Sequence, residues 1–197
     1  MTKVVADITM SLDGFVTGPG ADIEHGLGIG GEPLHNWVFQ PDDIDTAVLR
    51  EATEMSGAVV MGRRLFDIVD GPRGWNDKMG YGAGHAATPP FFVVTHSPPA
   101  QVRLDLRFTF VTEGPAAAVE QARPAAGDKA VVIMGGGDVI RQCLDAGVVD
   151  ELRIHLAPIV LGAGTPLFAD IGRREMVQQS VRVSTNATHL VYDVRRS

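Results

Sequence analysis

Cysteine is nearly absent: Cys143 is the only one in 197 residues. No intrachain disulfide can form, which suits a reducing compartment, and Cys143 itself reads as a small core residue on a helix rather than a nucleophile. Long apolar runs are missing too. None approaches the roughly 20 residues that span a bilayer. The opening stretch, MTKVVADITMSLDG, has one lysine and broken hydrophobicity instead of an apolar segment with a cleavage site. A cytoplasmic protein is expected. Positive charge is also scarce, with 17 Lys and Arg against 24 Asp and Glu and a net charge of −7. This argues against nucleic acid, whose binders cluster basic residues. A small anionic ligand, needing only a few local donors, stays compatible. His25, His35, His85, His96, His155 and His189 share no metal-type spacing, and neither a cysteine cluster nor an EF-hand-like acidic loop occurs. No metal site is expected. Ser11 and Ser97 lack a Gly-x-Ser-x-Gly elbow, so a hydrolase triad has no support.

What is present is an ordinary globular composition, 45% apolar, in a length that favours one domain over residues 1–197. Strands are expected at 4–11, 58–61, 91–95, 108–112, 129–134 and 149–160, the last broken at Pro158. Helices are expected at 42–55, with Asp42 or Asp43 as cap, and at 65–69, 115–123 and 138–146. Segments 181–184 and 190–194 alternate apolar with polar around a short turn and read as a C-terminal hairpin. Alternating strands and helices followed by antiparallel strands give an α/β fold. Its central sheet is mostly parallel and flanked by helices, with an antiparallel edge. Two irregular stretches interrupt the pattern, 18–40 (glycine-rich, with Leu34, Trp37, Val38 and Phe39) and 70–90 (with Trp75 and Tyr81). Such loops tend to be functional.

The strongest local signal is KAVVIMGGGDVIRQCLDAG, residues 129–147. A buried strand ends in Gly135, Gly136 and Gly137, and a helix starts at once. A helix N-terminus offers unpaired N–H groups and a positive dipole end, and glycines let a backbone approach a pyrophosphate. Asp138 is expected to cap this helix. The spacing is neither the Rossmann fingerprint nor a P-loop, so a tight junction needing positive φ explains the triad equally well. Residues 59–64, Val-Val-Met-Gly-Arg-Arg, form a second strand–glycine–helix junction. Two arginines at a helix start oppose the dipole. A phosphate would offset them through bidentate contacts, and so would acidic neighbours such as Asp67. Asp13, Thr95 and His96 follow strands, where α/β sheets bind ligands.

Taken in order, Ser-Leu-Asp-Gly (11–14), Val-Val-Met-Gly-Arg-Arg (59–64), Val-Val-Thr-His-Ser (93–97), Gly-Gly-Gly-Asp-Val-Ile (135–140) and Val-Asp-Glu-Leu-Arg-Ile-His-Leu-Ala-Pro-Ile-Val-Leu-Gly (149–162) resemble the dihydrofolate-reductase-like superfamily. More closely, they resemble the reductase domain of riboflavin biosynthesis, the RibD C-terminal domain. The resemblance implies NADPH as cofactor and hydride transfer to a small heterocyclic or C=O/C=N substrate, such as 5-amino-6-(5-phosphoribosylamino)uracil. It places Gly62, Arg63, Arg64, Thr95, His96, Gly135, Gly136, Gly137, Asp138, Val139 and Ile140 at the cofactor. One of the two arginines would meet the 2′-phosphate. Asp13 falls on the substrate side as a candidate proton donor, and Ser11, Trp37 and Gly162 line that side. Arg73 and His35 are candidate contacts for a substrate phosphate. A homodimer is implied. The acid that holds the substrate in dihydrofolate reductases falls near Asp45 or Thr46 by counting back from Gly62. Leu65 replaces the family's threonine after the Gly-Arg pair. The alternatives are a related reductase of another substrate and a nucleotide-binding dimer without turnover.

Overall fold

The strand Val4–Ser11 (β1) places odd and even side chains on opposite faces, and its neighbours share that division. In this computed structural model, which describes residues 2–76, 78–81 and 88–195, β1 sits near the middle of an eight-stranded sheet. The other strands are Phe15–Thr17 (β2), Ser56–Gly62 (β3), Phe91–Val94 (β4), Phe108–Val111 (β5), Ala130–Gly135 (β6), Glu151–Ala157 (β7), Thr165–Pro166 (β8), Met176–Val183 (β9) and Thr188–Val194 (β10). The sheet order is β5-β4-β3-β6-β1-β7-β10-β9, and β2 pairs with β8 in a separate small ribbon. Pairs from β5 to β7 are parallel, while β10 runs antiparallel to both β7 and β9. The expected parallel core and antiparallel C-terminal hairpin are therefore both found. The hairpin is longer than expected because β9 starts at Met176, in a polar run on the exposed sheet edge.

The helices are Asn36–Phe39 (α1), Asp43–Met55 (α2), Arg63–Asp70 (α3), Pro115–Ala126 (α4) and Gly137–Asp145 (α5). Asp42 caps α2 through a capping box with Asp45, so the first of the two expected cap residues does the work. Val4, Ala6, Val131, Ile133, Ala118, Val119, Ile140 and Leu144 form the core on the α4–α5 face. Val5, Val59, Met61, Phe66, Phe91 and Val132 form the core on the other face, toward α3. Cys143 is fully buried, and burial pushes its thiol up to about 12, which agrees with an inert core residue.

The glycine-rich stretch 18–40 closes on itself. Gly18 donates to the Leu27 carbonyl at 2.8 Å and Ile29 to the Pro19 carbonyl at 2.9 Å. A Cβ at Gly28, whose φ is +82°, would lie 2.4 Å from the Gly18 oxygen, so glycine is required where the two backbone runs meet. A 3-10 turn, Glu32–His35, leads into α1 and buries Leu34 and Trp37. Of the second stretch, 70–90, His85 lies outside the described residues. No helix among the described residues is long and apolar enough to cross a membrane.

Candidate functional site

Because β4, β3, β6 and β1 are adjacent and parallel, their C-terminal ends lie side by side along one edge. Thr95–His96, Gly62–Arg64, Gly135–Gly137 and Ser11–Asp13 are brought together there. The two glycine junctions touch: a Cβ on Gly62 would sit 2.9 Å from Val139 Cγ2 and 3.7 Å from the Gly136 nitrogen. A Cβ on Gly136 would meet nothing within 4 Å, so the backbone is open at that residue, whereas Gly137 is covered by Val16 and Thr165. Gly136, not Asp138, is the N-cap, and no side chain among the described residues caps the helix. Asp138 instead pairs with Arg141 along the helix. The expected capping role is thus corrected. The strand runs through Gly135, and the helix starts at Gly137, two residues earlier than a capping Asp138 would require. Val139 and Ile140 are buried, and the Val139 side chain packs against Gly62.

The paired arginines diverge. Arg63 donates through Nε to Asp67 at 2.7 Å, and through Nη1 to the Ser97 carbonyl at 2.6 Å and the buried Thr95 hydroxyl at 3.3 Å. It ties the ends of β3 and β4 together. Arg64 is exposed, has no ion pair or hydrogen bond among the described residues, and lines a cleft of about 380 Å³ with Gly18, Pro19, Gly20, Ala21, Gly164 and Thr165. His96 is exposed at the end of the same edge. Arg73 is engaged by the Glu24 carbonyl at 2.5 Å, joining the two long stretches.

Ser11 is fully buried, and its hydroxyl donates to Asp13 at 2.6 Å while accepting from the Phe15 amide at 2.9 Å. Asp13 also accepts from the amides of Leu161 at 3.1 Å and Gly162 at 2.6 Å. The Ser11 hydroxyl, then those amides, hold its carboxyl down at about 2 despite some desolvation. Ionised at neutral pH and accepting these three hydrogen bonds, Asp13 anchors the loop after β7. Replacing Asp13 with Asn should speed hydrogen exchange at the Leu161 and Gly162 amides while leaving β1 exchange unchanged. Unchanged loop amides would show that the carboxylate does not hold the loop.

The least expected feature lies on the α2 face of the sheet. Asp7 Oδ1 meets His155 Nε2 at 2.9 Å, His155 Nδ1 meets His189 Nδ1 at 2.8 Å, and His189 Nε2 meets Asp45 Oδ1 at 2.8 Å. The four groups come from β1, β7, β10 and α2 and form one line. Trp37 covers it, with its ring 4.2 Å from that of His155 and 5.2 Å from that of His189, and its Nε1 donates to the Thr9 hydroxyl at 2.9 Å. Burial disfavours an ionised Asp7, yet the His155 charge and hydrogen bond outweigh it and leave the carboxyl below the usual range. Burial, then the His155 charge, lowers His189. His35 is pushed down to about 4 by burial and then by His155. The second oxygen of Asp7 is out of contact with water and has no hydrogen-bond partner among the described residues.

Residues 2–190 match the family described as the RibD C-terminal domain. The chain belongs to that family. A curated relative, the uncharacterized protein YyaP of Bacillus subtilis (strain 168), is 24% identical over 179 residues, covering 87% of this chain and 83% of that one. A pyrimidine reductase-like protein of Corynebacterium diphtheriae has a TM-score of 0.66 at 19% identity, over 100% of this chain and 93% of that one. A dihydrofolate reductase of Enterococcus faecalis, solved with NADP(H), has a TM-score of 0.52 at 16% identity, over 98% and 96% of the two chains.

Within this RibD C-terminal domain, counting back from Gly62 left Asp45 and Thr46 equally placed. The structure separates them: Asp45 is fully buried and bonded to His189, whereas Thr46 is exposed and bonds the Asp42 carbonyl. The other members of the buried line were missed. The available signal was the pleat, since Asp7 and Thr9 interrupt the apolar face of β1, and His155 and His189 do the same in β7 and β10.

Proposed function

We propose that this chain is an NADPH-dependent reductase that transfers a hydride to a small heterocyclic or C=O/C=N substrate. The observation that carries the reading is the joining of two strand–glycine–helix junctions at one sheet edge. There the open backbone of Gly136, at the start of α5, stands beside Gly62, and Arg64, unpaired among the described residues, lies in the adjoining cleft. Backbone N–H groups at Gly136 and Gly137 suit a pyrophosphate, and Arg64 suits the 2′-phosphate. When bound, the cofactor supplies the hydride. The chain's part is to hold it against the sheet, keep water out and furnish one proton. Arg63 takes a positioning role, since its guanidinium is already used between β3 and β4. Membership of the RibD C-terminal domain family supports 5-amino-6-(5-phosphoribosylamino)uracil as the substrate to try first. A cytoplasmic homodimer is part of this proposal. The edge strand β9 exposes Val177, Val181 and Val183, the kind of face that pairing would cover.

The test is a titration with NADPH and NADH followed by nicotinamide fluorescence. NADPH should bind more tightly, and Arg64→Ala should weaken it roughly 10–100-fold, the loss of charge-assisted hydrogen bonds to one phosphate, with little change for NADH. If neither nucleotide binds the unsubstituted protein, both glycine junctions are structural and the reductase reading fails.

A further inference from the structure

The buried line of Asp7, His155, His189 and Asp45 contains three hydrogen bonds in series. Each bond needs one proton between its two heavy atoms. Two carboxylates supply none, and two neutral imidazoles supply one apiece. The line therefore closes only when one ring is an imidazolium. With two protons, each ring keeps its donor for a carboxylate, the stronger charge-assisted bond. Two bare Nδ1 lone pairs then face each other at 2.8 Å, which is unfavourable out of water. With four, the same two nitrogens point N–H groups at each other. The number of protons decides whether His155 and His189 can meet.

The surroundings place the third proton. Trp37 lies over His155 with ring centres 4.2 Å apart, a contact that favours a cation. Asp7, opposite Arg153 of β7, keeps its carboxyl below the usual range, since the His155 charge and hydrogen bond outweigh burial. His189 is held down by burial and then by the His155 charge. The other charged groups on this face are engaged elsewhere. Glu151 of β7 pairs with Lys3 and Arg153, and Glu51 of α2 pairs with Arg182 of β9. Asp42 bonds the first turn of α2 and Thr185, and Asp193 of β10 bonds Gln179. Burial holds His35 neutral down to about 4 and keeps the Tyr81 hydroxyl protonated. The extra proton accordingly rests on His155. That ring donates through Nε2 to Asp7 and through Nδ1 to His189, and His189 donates through Nε2 to Asp45.

We propose that the four residues form a pH-sensitive lock: the imidazolium at His155 closes the line and seats Trp37 on it, and loss of that proton parts the two rings and lifts Trp37 away. The lock does not depend on the reductase reading. On the alkaline side the His155 Nδ1–H bond breaks, its electron pair stays on the nitrogen, and hydroxide takes the proton to become water. His155 stands opposite His189 on paired strands, so the rings can part only by turning out of the line. Trp37 lies against both, at 4.2 and 5.2 Å, and its Nε1 is held by Thr9. Turning the rings dislodges the indole and loosens α1, which carries it. Both histidine side chains are only 3% exposed. Solvent therefore reaches His155 only as Trp37 moves, and proton loss and opening are one event. A second imidazolium, at His189, opens the same contact from the acid side.

The test is a set of nitrogen-15 and proton spectra of the histidine rings and the Trp37 indole, taken without cofactor or substrate. At pH 7.5 His155 should be protonated on both nitrogens and His189 on Nε2 alone. As the pH is raised to 10, His155 should become neutral. The Trp37 Nε1–H resonance, set by its bond to Thr9, should shift with the same midpoint. In Asp7→Asn the amide can donate to His155 Nε2, so two ring protons fill three bonds. His155 should then be neutral at pH 7.5, and the Trp37 resonance should hold its position across the range. Two neutral rings in the unsubstituted protein at pH 7.5 would overturn the imidazolium. Rings unchanged up to pH 10, or a Trp37 resonance that stays in place while His155 loses its proton, would overturn the lock. A doubly protonated His155 in Asp7→Asn would overturn the proton count. The spectra of the unsubstituted protein decide the first three outcomes whether or not Asp7→Asn folds.

Discussion

Asp45→Ala should lower the unfolding free energy by about 2–4 kcal/mol, about 1–3 for leaving a buried donor without an acceptor and about 1 for the lost helix cap. The carboxylate is fully buried and carries two loads. It accepts from His189 Nε2 at 2.8 Å, ending the buried line, and from the Asp42 amide at 3.1 Å, completing the capping box of α2. Alanine leaves an imidazole N–H without an acceptor out of reach of water and frees the first turn of the helix that covers the site. Thermal melting should drop by roughly 4–16 °C, at about 2–4 °C per kcal/mol for a chain of this size. Asp45→Asn is the informative control. Its carbonyl still accepts from His189, while its NH2 cannot accept from the Asp42 amide, so the expected loss is about 1 kcal/mol, that of the cap bond alone. Urea unfolding of both variants at pH 7.5 decides the matter. Equal losses would mean that shape, not the acceptor, is what the position supplies.

The contrast between Asp45 and the glycine junctions shows what a single sequence can reveal. Gly62 and Gly135–Gly137 are legible because their signal is local: an apolar β-branched run, then residues that bring no Cβ, then helical spacing. Each junction was placed within a residue or so, and only the cap residue of α5 differed. Their being neighbours was not legible locally. It depends on β6 lying beside β3, with Met61 opposite Gly135, although β4, β5 and α4 intervene in sequence. The Asp7–His155–His189–Asp45 line is harder still. Its members are separated by up to 144 positions between bonded partners for His189 and Asp45, and 148 for His155 and Asp7. They meet only because β1, β7 and β10 are consecutive in the sheet and in register, with Thr9 opposite His155 and His155 opposite His189. A test for metal-type spacing cannot find such a group, since nothing about it is short-range. Asp13 shows the converse ambiguity. Its place at a strand end is the same for a ligand-binding acid and a loop anchor, and only the Leu161 and Gly162 amides distinguish the two.

His35 should make the protein sensitive to mild acid. In the folded chain burial, then the His155 charge, holds it neutral until about pH 4, whereas an unfolded histidine takes its proton near 6.5. A depressed histidine contributes fully above the unfolded value. As pH falls from about 6.5 to 4 only the unfolded state gains the proton, and stability declines by about 3 kcal/mol across that interval. His189, also lowered, acts in the same sense. The carboxylates held low, Asp7, Asp13, Asp42 and Glu51, behave differently. Their contribution is intact above the ordinary carboxylate range and is lost only as pH falls below it through their folded values. The histidine window is therefore the upper one and can be read apart from acid unfolding proper. Urea midpoints measured at half-unit steps from pH 7.5 to 4 should fall steadily below 6.5 in the unsubstituted protein. His35→Leu, which suits an apolar site near Phe39, should flatten most of that slope. A slope that survives the substitution would locate the acid sensitivity in the buried line itself, at His189.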